Sequence, residues 1–206
     1  MCADDSWKSK RAADWSDAET KQILRDSPWA GMVTPTVTKV EKQTGHRGPI
    51  VGIPGIGRRR ETQDPNDTPA PSGDPGPPLN IRWESGLPIR EAELKAREIN
   101  APDVEEDFYA IAVYGLPQSL TKDPQGFGDR LKGQASIKRE GQKELKPNHV
   151  HVIPREDGMV VLFLFPRTKA ITAADSRADF SAQIAQYQID YSFHVDEMIY
   201  QGKPEL

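Results

Sequence analysis

The sequence has 206 residues, with 27 lysines and arginines, 31 aspartates and glutamates, and a single cysteine. No apolar run approaches the roughly 18 residues that a membrane helix requires, and one cysteine excludes an internal disulfide or a cage of thiolate metal ligands. A formal charge of −4 argues against a broadly nucleic-acid-binding surface. Leu, Ile, Val and Phe number 42, but only nine of them precede residue 79. This distribution predicts a globular domain at residues 79–206, preceded by a part that is too poor in apolar residues to build a core.

One short helix is predicted in the N-terminal segment, residues 1–44. Ser16 can cap its first turn, and Glu19, three residues later, can bond back to the cap amide. The helix should end at Ser27, because proline disfavours helical geometry in the residue before it. So short a helix is marginal alone in water, so it either docks through its tryptophans or forms only transiently. Three tryptophans flank it and are candidate partner-binding residues: Trp7, Trp15 and Trp29.

The next segment, residues 45–78, is predicted to be a disordered linker. Of the 34 residues from Gly45 to Pro78, 15 are glycine or proline, which are costly to order and poor in amide donors. Before it, the valines and threonines from Val33 to Val40 predict one strand, which Pro35 restricts to a sheet edge.

The domain at residues 79–206 begins with a strand in which Ile81 and Trp83 alternate with the polar residues Arg82 and Glu84. A helix is predicted over residues 88–99, with Glu93 largely towards water. Further strands are predicted at residues 108–116 and 131–139, and a last hairpin joins residues 180–184 to residues 187–195.

The strongest local signal is a hairpin around Glu156, Asp157 and Gly158. An Asp-Gly pair between two β-rich segments is typical of a tight turn. The run from Met159 to Phe165 is unbroken and apolar, which predicts a strand that is buried on both faces.

Together these elements predict an α+β protein. Its main domain is mainly antiparallel β, with about seven strands arranged as one sheet or as a two-sheet sandwich, and with one packed helix. The N-terminal helical segment and the disordered linker precede this domain.

Several short segments resemble a family of exported proteins from soil bacteria that has no established activity. They are residues 15–17 (WSD), 27–30 (SPWA), 81–85 (IRWES), 164–167 (LFPR) and 196–203 (DEMIYQGK). The resemblance implies a periplasmic, envelope or extracellular location, with the cytoplasm as the alternative, and implies no chemistry. Such proteins tend to begin with a signal peptide, sometimes of the lipoprotein type, whereas Met1 to Asp5 has neither a basic start nor an apolar core.

Cys2 is a candidate lipidation site. If Met1 replaces a removed signal peptide, Cys2 stands where a lipid-bearing cysteine would fall, and the N-terminus would serve as a membrane tether. The alternative is an ordinary exposed thiol on a frayed terminus.

The histidines are the candidate metal ligands. His149 and His151 lie two apart in a predicted strand and therefore share one face, and His194 could join them if the last strand lies close by. Strand periodicity explains the same three residues as solvent-facing, so we predict no bound metal. A metal-dependent hydrolase that uses these histidines is the alternative.

The preferred function is a non-enzymatic, exported or envelope-associated binding or assembly module. No motif for a serine nucleophile, a phosphate loop or a zinc protease is present, so neither a catalytic residue nor a cofactor is predicted. Arg58 to Arg60 supply too few charges for nucleic-acid binding. The partner is predicted to be another protein or a second copy, because helical and edge-strand segments can add to a partner's groove or sheet.

Overall fold

The computed structural model describes residues 5–38, 74–97, 101–102, 104–168 and 170–206. Three α-helices lie in these ranges: α1 (Asp17–Ile23), α2 (Leu87–Ala96) and α3 (Pro124–Leu131). The strands of the first half are β1 (Ala30–Val33), β2 (Thr36–Val37), β3 (Asp74–Pro75), β4 (Leu79–Trp83) and β5 (Phe108–Leu116). Those of the second half are β6 (Ala135–Lys138), β7 (His149–Arg155), β8 (Gly158–Pro166), β9 (Arg177–Ile184), β10 (Tyr187–His194), β11 (Ile199–Tyr200) and β12 (Lys203–Pro204).

The strands form two five-stranded antiparallel sheets and one small hairpin, β11–β12. The first sheet has the order β1-β4-β5-β8-β7, and the second has the order β3-β2-β10-β9-β6. The sheets pack against each other through aromatic rings: Phe163 contacts Phe180 at 5.4 Å between ring centroids, and Trp83 contacts Phe193 at 5.1 Å. The predicted α+β class with mainly antiparallel strands is confirmed, and the arrangement is the two-sheet one.

The burial of β8 agrees with the prediction from its apolar sequence. All seven residues from Met159 to Phe165 are at most 3% exposed. Successive side chains of a strand point to opposite faces, so the burial covers both faces of β8, as the unbroken apolar run predicts.

The N-terminal segment is part of both sheets. β1 pairs with β4 in the first sheet, and β2 pairs with β10 in the second. Helix α1 begins with the predicted capping box: the Ser16 side chain accepts from the Glu19 amide, and the Ser16 amide donates to the Glu19 carboxylate. The structure therefore differs from the predicted division at residue 79, because residues 5–38 supply strands that the two sheets need.

Two other sequence predictions change. The predicted strand over residues 131–139 is the end of α3, a short 3₁₀ helix at Lys132–Gln134 and the shorter β6, because Asp123 caps a helix that begins at Pro124. Residues 39–73, which hold most of the predicted linker, lie outside the described residues. The last part of the predicted linker forms β3, which pairs with β2.

Candidate functional site

The three candidate metal-ligating histidines are not brought together. His149 and His151 lie exposed on β7, with nearly parallel rings whose centroids are 6.5 Å apart. His194 lies at the end of β10 in the other sheet, exposed and paired with Arg177. Among the described residues, no group of three or more His, Cys, Asp or Glu side chains is placed to hold a metal ion. The structure thus lacks the histidine cluster on which the hydrolase alternative depends.

The three candidate partner-binding tryptophans lie in the core. Trp7 and Trp29 are 0% exposed and Trp15 is 3% exposed. The Trp7 ring contacts both other indoles edge-on, and the Trp15 indole donates to the backbone carbonyl of Trp7. The helix therefore docks through its tryptophans. None of the three rings is exposed, so none is available to contact a partner as predicted. Cys2 lies outside the described residues.

A groove opens between α3 and β7. Its volume is about 480 Å³, within the usual range for ligand sites. Pro124, Gln125, Asp129 and Lys132 line it on the helix side, and five consecutive strand residues, His149 to Ile153, line it on the other. Side chains of consecutive strand residues point to opposite faces. A groove that all five residues line therefore runs along the edge of the strand.

The edge of β7 is free of strand pairing in the described part of the chain, since β7 is the last strand of its sheet. Arg155 and Gly158 pair directly across the two-residue turn between β7 and β8, and such a closing pair exchanges both of its backbone hydrogen bonds. Alternation then directs the backbone groups of Val150, Val152 and Pro154 away from β8.

These three residues differ in what they offer at the edge. Pro154 has no amide hydrogen to donate, and the carbonyl of Val150 faces Gly128 of α3. Val152 is therefore the residue that offers both its N–H and its C=O at the edge of β7 that lines the groove.

The groove walls carry both apolar and polar side chains. Lys132 and Asp129 form an ion pair at 2.9 Å, and the Lys132 ammonium holds the pKa of the Asp129 carboxyl below its usual range. On the strand side, His149 contacts the ring of Phe108 edge-on, at 5.7 Å between centroids. A ligand of this groove would meet backbone donors and acceptors on one side and charged or imidazole side chains around them.

We expect Gly128→Ala to lower the free energy of unfolding by about 1–3 kcal/mol, the usual cost of overpacking. A Cβ at Gly128 would lie 2.5 Å from the backbone oxygen of Val150, so α3 would have to move away from β7. Urea unfolding measures the loss. The matched control is Gly133→Ala, where an added Cβ meets nothing within 4 Å. If both variants unfold like the wild type, α3 does not pack on β7 as closely as described.

A buried polar network, which the sequence did not predict, is built around Arg82 of β4. The Arg82 guanidinium is 3.2 Å from the Glu93 carboxylate and lies 4.3 Å from the centre of the Tyr114 ring. The Tyr114 hydroxyl donates to Glu84 at 2.5 Å. Burial raises the pKa of Tyr114 well above its usual range, and the carboxylates of Glu84 and Glu93 raise it further. Tyr114 therefore stays a neutral hydrogen-bond donor.

The network corrects the expected orientation of two acidic residues. Glu93 is 4% exposed and Glu84 is 0% exposed. Helical and strand periodicity placed both towards water. Their partners come from other elements, so periodicity within one element did not reveal them.

None of the helices in the described ranges is long and apolar enough to cross a membrane. Comparisons with protein-family models, with curated proteins and with solved structures found no match to this chain.

Proposed function

We propose that this protein is a non-enzymatic binding module that adds an extended segment of a protein partner to the edge of β7, in the groove against α3. The observation that carries the proposal is the groove wall formed by five consecutive residues of an edge strand. Strand addition at such an edge obtains affinity from main-chain hydrogen bonds and specificity from the side chains around them.

Val152 supplies the central main-chain contacts. In the register of β7 with β8 its amide and carbonyl both point away from β8, so one residue of the partner can exchange two hydrogen bonds with it. Pro154 ends the available edge on one side, and the approach of Gly128 to Val150 ends it on the other. The module would therefore take a short segment.

Side chains of the bound segment would alternate between two environments. One set would face the α3 wall, where Gln125 and the ion pair of Asp129 with Lys132 offer polar contacts. The other set would lie beside the exposed rings of His149 and His151. The polar groups of α3 and the two imidazole rings favour a segment with hydrogen-bonding side chains over a wholly apolar one.

The cellular setting of the module is a further part of the proposal. An exported or envelope location rests on the family resemblance, and a membrane tether rests on lipidation of Cys2. Both are consistent with a domain that meets a protein partner outside the cytoplasm.

The test uses a random heptapeptide library displayed on phage and selected against the full chain. Selected peptides are synthesised, and their affinities are measured for the wild type, Val152→Ala and Val152→Pro. Both variants remove the branched valine side chain, but only proline removes the edge amide, and it does so where no bond to β8 is lost. We expect Val152→Ala to keep binding and Val152→Pro to weaken it about tenfold or more.

Two results would contradict the proposal. One is a set of peptides that bind Val152→Pro as tightly as Val152→Ala. The other is amide chemical-shift changes that, when the peptide is added, leave both residues 149–153 and residues 124–132 unaffected. Peptide-independent dimerisation that Val152→Pro abolishes would instead identify a second copy of the chain as the segment that adds to β7.

A further inference from the structure

A second cavity, separate from the groove, lies where β6 ends and β9 begins. Its volume is about 560 Å³. Three cations and three carboxylates line it. Those at the end of β6 are Lys138, Arg139 and Glu140, and those around the start of β9 are Asp175, Arg177 and Asp179.

Arg139 is the buried member of this set. Its side chain is 2% exposed. One terminal nitrogen, Nη1, donates to the carbonyl of Ala170 at 3.0 Å and lies 3.3 Å from both carboxylate oxygens of Asp175. The other two nitrogens, Nε and Nη2, are closed off from solvent and have no hydrogen-bond partner among the described residues.

These two nitrogens form one edge of the guanidinium. Because the group is planar, the Nε–H and one Nη2–H point in parallel, with the spacing of two oxygens on a single carboxylate or phosphate. A water molecule presents only one oxygen to such a pair of donors. Buried donors without acceptors are costly and rare in native proteins, so this edge calls for an acceptor that the described residues do not supply.

Two of the three carboxylates of the cavity are already engaged, and the third, Glu140, is exposed at its rim. Asp175 bonds to the opposite side of Arg139, while Asp179 pairs with Arg177 at 3.0 Å and accepts a hydrogen bond from Ser192 at 2.6 Å. Lys138 forms no ion pair with any residue that the structure describes, and its side chain is exposed at the rim. The buried pair of guanidinium donors favours an anion with two oxygens over a neutral ligand.

We propose that Arg139 anchors a binding site for a small oxyanion, a phosphate or carboxylate group, which bonds side-on to Nε and Nη2. The exposed side chains of Lys138 and Arg177 line the same cavity, and because both nitrogens are closed off from solvent, neighbouring side chains must shift to admit the group. This site is independent of strand addition at β7, and either can be present without the other.

The experiment follows the side-chain Nε–H signals of the full-length protein by ¹H–¹⁵N NMR while sodium phosphate, sulfate or acetate is added, with sodium chloride at equal ionic strength as the reference. We expect one Nε–H signal to shift saturably with at least one oxyanion and not with chloride. The arm that saturates at lower concentration tells whether phosphate, sulfate or carboxylate is preferred. The signal is assigned to Arg139 by its absence from Arg139→Lys.

Arg139→Lys keeps the charge but removes the paired donors, so we expect it to bind the preferred anion about tenfold more weakly or worse. Arg130→Lys, the same exchange at an exposed arginine of α3, should leave binding unchanged. If Arg139→Lys does not fold, the signal is assigned in the wild type by its through-bond correlations along the Arg139 side chain, and the titration of that signal then decides. An Nε–H spectrum that responds to all three oxyanions only as it does to chloride would overturn the proposal.

Discussion

Arg82→Met is expected to lower the free energy of unfolding by about 3–5 kcal/mol, the usual cost of breaking a buried ion pair from one side. The substitution leaves Glu93 buried without its guanidinium at 3.2 Å. It also removes the donor to the carbonyl of Leu24 at 3.0 Å, near the end of α1. Whole domains are stable by only about 5–15 kcal/mol, so the loss should be evident as a large shift of the urea midpoint.

Two further variants test whether the loss of stability in Arg82→Met arises from burial of the ion pair. Arg177→Met removes an ion pair at 3.0 Å whose arginine side chain is 60% exposed, and exposed pairs contribute only about 0–1 kcal/mol. The double variant Arg82→Met with Glu93→Leu should recover part of the loss, because it removes one of the two buried carboxylates that the lost guanidinium leaves in the network. Equal midpoints for Arg82→Met and Arg177→Met would show that water reaches the network.

Leu162→Ala and Phe163→Ala are both expected to be severe, at about 2–5 and 3–5 kcal/mol respectively. The two side chains are adjacent in β8 and therefore lie on opposite faces of the first sheet. Leu162 belongs to a cluster with Ala112 and Val160, and Phe163 packs on Phe180 of the second sheet. Each truncation would leave a cavity in a different part of the core.

The control for β8 is Lys138→Ala in β6, whose side chain is exposed and should change stability by no more than about 0.5 kcal/mol. Thermal unfolding of the full chain compares the three variants. Should either apolar truncation melt as late as Lys138→Ala, one face of β8 would be open to solvent, and the description of β8 as buried on both faces would fail.

Short sequence motifs correctly predicted the elements that depend only on neighbouring residues. The capping box at Ser16 and the turn before Gly158 each need only a few neighbouring residues, and both are present as predicted. Helix α3 was missed because Gly126 and Gly128 are weak helix formers, although Asp123 before Pro124 was a usable start signal.

Strands held by distant partners were beyond such signals. β1 has four residues and β2 has two, too few for a period of two to be recognised. Their pairing with β4 and β10 depends on contacts across the sequence. The N-terminal part was therefore predicted to stand apart, although its tryptophans complete the core.

The sites show the same limit. The exposure of His149, His151 and His194 follows from strand periodicity and was predicted. The groove was not, because it needs the position of β7 at the sheet edge and the position of α3 beside it. Arg139 was assigned to an ordinary strand, because neither its burial nor its contact with Asp175 can be recognised from neighbouring residues.

The contacts between the two ends of the chain bear on when this protein can fold during synthesis. The Trp29 indole donates to the backbone carbonyl of Glu205 at 2.5 Å, and the Trp15 ring contacts Tyr200 at 5.7 Å. The tryptophans emerge from the ribosome early, but Glu205 emerges 176 residues after Trp29. Until then the indoles lack part of their packing, so the nascent chain would expose aromatic surface to chaperones until Tyr200 and Glu205 have emerged. Completion of the core is thereby delayed until the residues around Glu205 have left the ribosome.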